Sequence, residues 1–191
     1  TMQSFPSALN YIASYGDLIN LFGTNGQGGL DHFRAYGYSE GREATFDGLD
    51  YIASYGDLMN LFGANEIAGV THFIQWGFGE GRHATFDGLH YVASYGDLIN
   101  LFGANDDQGA VHYMQFGRNE GRKISFDGLD YIASYGDLMD LFGAAEDAGV
   151  LHFLQYGFHE GRKTTFNGLE YVASHVDLIN LFGAADDLGA M

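Results

Sequence analysis

The sequence predicts an all-α fold of tandem 40-residue helical repeats, about three short helices per unit, forming an α-solenoid or a compact helical array. Three observations carry that expectation. The decapeptide starting at Tyr11 (YIASYGDLIN) returns in closely similar form at Tyr51, Tyr91, Tyr131 and Tyr171, each time after 40 residues. A second block, His32-Phe33 followed by Gly37 and Glu40-Gly41-Arg42, returns from His72, His112 and His152. Apolar residues fall at helical spacing, whereas no segment alternates apolar and polar residues long enough to read as a strand. Repetition is close to exact in places: residues 46–63 and 126–143 differ only at Asn60 and Asp140. The units lie at about 5–44, 45–84, 85–124 and 125–164, with a partial fifth at 165–191, in one array over 1–191.

Within one copy, residues 46–85, the elements follow in order. Asp47 precedes Leu49, Ile52 and Ala53. Its carboxylate can accept from the free amides of a first helical turn, and Ser7, Asp87, Asp127 and Asn167 hold the same place. Gly56 reads as the left-handed residue that ends this helix, and Asp57 as the cap of a second one over 58–62, unless the two merge into one kinked helix. Gly63 stops the second helix. Asn65 opens a third, with Ile67, Val70, Phe73 and Ile74 on one face, and Gly77 ends it. Gly79 and Gly81 require a tight, non-helical link to the next copy. Helices this short are marginal alone in water, so the copies must stack. Leu58, Met59, Leu61 and Phe62 are the expected contacts, since burying one such side chain contributes roughly 1.5–3 kcal/mol. The last copy lacks a third helix and carries Asp186-Asp187, the pattern of a polar terminal cap.

Charge and composition exclude several functions. With 8 Lys and Arg against 25 Asp and Glu, the net charge is −17. Nucleic-acid backbones and anionic membrane surfaces would repel such a chain. No run approaches 18 apolar residues, so membrane insertion is not expected, and Thr1 to Pro6 carries no signal-peptide pattern. The absence of Cys removes disulfides, thiolate metal sites and cysteine nucleophiles. Catalytic signatures such as Gly-x-Ser-x-Gly or His-Glu-x-x-His are missing. Ser14, Asp17 and His32 supply the elements of a triad, but four or five equivalent triads in so small a chain argue for structural roles. The expected protein is not an enzyme.

Four sets of repeated residues are candidates for binding. His32, His72, His112 and His152 each precede an aromatic residue by four positions: Tyr36, Trp76, Phe116 and Tyr156. On a helix such pairs touch. Each histidine is either a ligand contact or a structural imidazole; one per copy is too few for a metal site, and packed helices set neighbours about 10 Å apart. Arg42, Arg82, Arg122 and Arg162 follow the Glu-Gly motif. They either meet an anion or sugar or hold each turn by pairing with Asp17, Asp57, Asp97 or Asp137. Asp106, Asp107, Glu146 and Asp147 crowd the start of the third helix, as calcium ligands or as favourable charge at a helix N-terminus. The pairs Tyr11/Tyr15, Tyr51/Tyr55 and Tyr91/Tyr95 form either an exposed sugar-stacking ladder or core.

The pattern Tyr-Ile-Ala-Ser-Tyr-Gly-Asp-Leu-Ile, then Phe-Gly, then His-Phe with Gly-x-x-Glu-Gly-Arg resembles a helical tandem repeat of bacterial secreted and surface proteins. Copies in that family often have Pro where this chain has Gly16, Gly56, Gly96 and Gly136. They frequently lie beside RTX-type calcium-binding nonapeptides, which are missing here, and the last copy departs with His175-Val176 in place of Tyr-Gly. The resemblance implies an extracellular or cell-surface accessory module and brings no catalytic residues. The expected function is thus a non-catalytic structural spacer or protein-interaction module, its partner a protein or a second copy of itself. The alternatives are polysaccharide binding through the aromatic face and calcium binding through the acidic helix starts. No cofactor is expected beyond that possible calcium.

Overall fold

The computed structural model describes residues 7–182. Among these, fourteen α-helices and four π-helical segments recur with the 40-residue period, and no strand is present. The all-α repeat expected from sequence is what the chain forms. Asp186 and Asp187, the expected polar cap, lie outside the described residues. The chain divides into two compact units, Thr1–Asp87 with Ala110–Glu120 and Gly88–Gly109 with Gly121–Met191.

In the second copy the helices are α4 (Gly48–Ala53), α5 (Gly56–Phe62) and α6 (Glu66–His72), the last running into a π-helical segment, Phe73–Gly77. Asp47 caps α4, its side chain accepting from the amides of Leu49 and Asp50. Asp127 and Asn167 do the same for their helices, while Ser7 makes no such bond. Asn65 caps α6 by accepting from Ala68.

Two local expectations are corrected. Gly56 is not the left-handed end of α4; it is the first residue of α5, whose cap position is Tyr55, with no side-chain bond. Asp57 therefore does not hold the cap position but sits in the first turn of α5, where it pairs with Arg82. The left-handed residues are Gly63 and Gly81 and their counterparts, where only glycine adopts a positive φ without strain.

The π segment explains much of the copy. Phe78 N–H donates to the Phe73 carbonyl at 2.8 Å, five residues back, so the turn holds an extra residue. That turn brings Gly77 against the Tyr51 phenol, where any Cβ would overlap the hydroxyl. Gly37 and Gly157 meet Tyr11 and Tyr131 identically. The buried face of α6 is centred on Gly69, which lies against Ile52, and Val70, so Ile67 falls outside it and its assignment to the core face is wrong. Val70, Phe73 and Ile74 are buried, but Ile67 is 70% exposed.

In the first unit, Tyr11, Ile12, Leu18, Ile19, Tyr51, Ile52, Leu58, Val70, Phe73 and Ile74 form one core. Asn10 Nδ2 donates to Glu66 Oε1 at 2.8 Å and ties the first copy to the second. In the second unit, Tyr131, Ile132, Leu138, Val150, Phe153 and Leu154 are buried, and His90 Nε2 lies 3.0 Å from Glu146 Oε1 across two copies. Leu61, expected to be core, is 70% exposed. On a helix of 100° per residue, Leu58, Met59 and Phe62 share one face and Leu61 falls outside it.

Candidate functional site

The repeated polar residues turn out to bond one another. Ser54 sits at the C-cap of α4, where its Oγ donates to the Asp50 carbonyl at 2.7 Å. It also accepts from the amides of Thr85 and Phe86 at 2.8 and 2.9 Å, anchoring the link to the next copy. Ser14, Ser94 and Ser134 hold residues 45–46, 125–126 and 165–166 in the same way. The Ser, Asp and His that could have made a triad point to different partners: Ser14 to this link, Asp17 to Arg42, and His32 to Tyr11.

Each described histidine pair has the same geometry. The hydroxyls of Tyr11, Tyr51 and Tyr131 lie 3.0 Å from Nδ1 of His32, His72 and His152. These tyrosines are 0–1% exposed. Burial pushes the Tyr51 and Tyr131 phenols up to about 12 and raises that of Tyr11. His32, His112 and His152 pack on Tyr36, Phe116 and Tyr156 with ring centroids 5.5–5.7 Å apart. The inner tyrosines are core and cannot be a sugar-stacking ladder.

The arginines are held on three sides. Arg82 donates from Nη1 to Asp57 at 2.9 Å and from Nε to Glu80 at 2.8 Å, and its Cζ lies 4.9 Å from the centre of the Tyr55 ring. Arg42, Arg122 and Arg162 stack on Tyr15, Tyr95 and Tyr135 at 4.8 Å and pair with Asp17, Asp97 and Asp137. The hydrogen bonds from Arg42, Arg82 and Arg162 hold the carboxyls of Asp17, Asp57 and Asp137 below the usual range. At Asp97 burial is the largest single influence and pushes upward, but the bond and charge of Arg122 together with backbone amides outweigh it and the carboxyl is again lowered. A guanidinium fork placed this way binds the turn that carries it.

Asp106 and Asp107 lie in the first turn of the helix Asp106–His112, and Glu146 and Asp147 in that of Glu146–His152. Among the described residues, no group of three or more His, Asp or Glu side chains is arranged to hold a metal ion.

The outward-facing apolar side chains are the features left over. Tyr36, Trp76, Phe116 and Tyr156 are 54–62% exposed. Leu21, Leu61, Leu101 and Leu141 are 67–70% exposed, a repeated feature that sequence reasoning assigned to the core. In the second copy, Trp76 lines an open groove of about 340 Å³. Phe62, Ile67 and Ala68 are its other apolar lining residues, and Asn65, Thr71, His72 and Gln75 supply polar groups. Of these, Trp76 and His72 were legible as candidates. Thr71 and Gln75 carry a signal only in their spacing, since they flank the His–Trp pair at i, i+4 on the same helical surface.

Neither a protein-family model, nor a curated protein, nor a solved structure matches this chain.

Proposed function

We propose that the chain is a non-catalytic helical repeat module, a structural spacer or protein-interaction module of a bacterial extracellular protein. One observation carries the reading: a leucine exposed by 67–70% recurs at residues 21, 61, 101 and 141, while the repeated Ser and Arg side chains are engaged within the fold. Exposed apolar residues in isolation are ordinary. Their recurrence in every full copy, on a chain of charge −17, supports a role in contact with another surface. The resemblance to secreted tandem repeats supports the extracellular setting, and a second copy of the chain is the first partner to test. Sedimentation velocity from micromolar to millimolar concentration compares the wild type with a variant carrying Asn at all four leucines. Association lost in the variant supports the interaction role. Identical monomers throughout would leave the spacer role alone.

A second reading, carbohydrate binding, is favoured by the exposed rings of Tyr36, Trp76, Phe116 and Tyr156. Aromatic faces left in water are the surfaces on which the apolar faces of sugar rings stack.

A further inference from the structure

The groove of the second copy differs from its counterparts in chemistry. Its apolar lining includes the Trp76 indole, 62% exposed, Ile67, 70% exposed, and half-buried Phe62. The polar groups beside them are a hydroxyl (Thr71) and two amides (Asn65, Gln75). No carboxylate, ammonium or guanidinium lines it, on a chain of charge −17. At the positions of Ile67 and Thr71, the first copy has Gln27 and Asp31, the third Asp107 and Val111, and the fourth Asp147 and Leu151. Each of those copies therefore puts a carboxylate where the second has none. Trp76 is also the only tryptophan in the chain.

We infer that this groove binds a neutral pyranose ring stacked on Trp76, an inference that rests on the carbohydrate reading above. The argument is one of complementarity. An anionic ligand would find no cation in the wall and a strongly negative chain around it. A cationic segment would find no carboxylate to pair with. A neutral sugar has C–H faces that cover the indole and Ile67, and hydroxyls that both donate and accept. The Gln75 amide and Thr71 hydroxyl also do both. Asn65 uses Oδ1 to cap α6, accepting from Ala68 at 3.1 Å, which leaves its Nδ2 as a donor. The Tyr51 hydroxyl, 3.0 Å from His72 Nδ1, fixes the imidazole that also lines the groove and leaves Nε2 as its remaining polar atom. The volume of about 340 Å³ is at the small end of ligand sites, the scale of a short saccharide segment. The open side lets a chain of sugars run on into solvent.

The test is titration of the full chain with cellohexaose, maltohexaose and mannohexaose, read by Trp76 fluorescence and by calorimetry. At least one should give a saturable blue shift. Trp76→Ala, read by calorimetry, should weaken binding at least tenfold, about 1.4 kcal/mol. Gln75→Ala should weaken it about threefold, as loss of one ordinary hydrogen bond does. Tyr156→Ala, in the other unit, should leave it unchanged. Circular dichroism of each variant confirms that the fold is kept, as expected when Phe116 already occupies the equivalent of Trp76 in the third copy. Binding that survives Trp76→Ala overturns this site while the carbohydrate reading stands. No heat and no shift with any of the three overturns both. A blue shift on concentrating the protein alone overturns the sugar in favour of a second copy in the groove.

Discussion

Replacing Ser54 with alanine removes one hydroxyl and strands two backbone donors. The Thr85 amide is exposed and regains water, so it loses about 0.5–1.5 kcal/mol, the net value of an ordinary hydrogen bond. The Phe86 amide is partly buried, and its loss costs about 1–3 kcal/mol. The Asp50 carbonyl keeps its bond from the Ser54 amide at 3.0 Å, so nothing is lost there. Better helix propensity returns at most about 0.5 kcal/mol. The net expectation is a destabilisation of about 2–3 kcal/mol, from one side chain that is neither charged nor fully buried. Urea unfolding followed by helical circular dichroism measures it, with the slope unchanged if the denatured state is unaffected. Ser14→Ala should cost a similar amount, because its hydroxyl accepts from Thr45 and Phe46 at 2.9 Å. Ser39→Ala is the control: its Oγ only donates to the Tyr36 carbonyl on the exposed surface, and the change should stay within about 0.5 kcal/mol. If Ser54→Ala and Ser14→Ala both fall within the range of the control, the link between copies is not held by these hydroxyls.

Four further outcomes follow from the same geometry. Gly77→Ala drives a methyl into the Tyr51 hydroxyl and should destabilise by about 1–3 kcal/mol, whereas Gly77→Ala combined with Tyr51→Phe should recover part of that loss; equal losses would place the clash elsewhere. Arg82→Lys keeps the charge but loses the fork to Asp57 and Glu80 and the stack on Tyr55, and should lower the urea midpoint; an unchanged midpoint would mean the fork does not hold the turn. Because Arg82 holds the Asp57 carboxyl below its usual value, that contribution is complete above about pH 4 and is lost as pH falls through the lowered value; Arg82→Ala should flatten the decline in stability on acidification. In alkali the sign reverses. Tyr51 and Tyr131, pushed up to about 12 by burial, stabilise fully below about pH 10 and lose that contribution as pH rises towards 12. Absorbance at the phenolate band should show them ionising late and together with loss of helix, and Tyr51→Phe should move unfolding to higher pH.

The repeat, its period, the all-α class and the caps at Asp47, Asp127, Asn167 and Asn65 were all legible in the sequence, because each depends on local backbone chemistry or on self-similarity. The pairing of Arg42 with Asp17, and of its copies with theirs, was legible as one of two alternatives, since matching charges recur at a fixed interval. The π-helical turn was not. It brings a buried tyrosine hydroxyl, a histidine and a side-chain-free residue together, a three-body contact that no spacing rule encodes. Ile67 and Leu61 are likewise turned to solvent because each falls outside the face of its short helix that the neighbouring elements cover. Sequence alone thus determined which residues repeat and which elements they build, through periodicity and capping. Tertiary structure alone decided which repeated side chains are consumed by the fold and which face outward, because burial is set by what packs against a residue and hydropathy records only its preference.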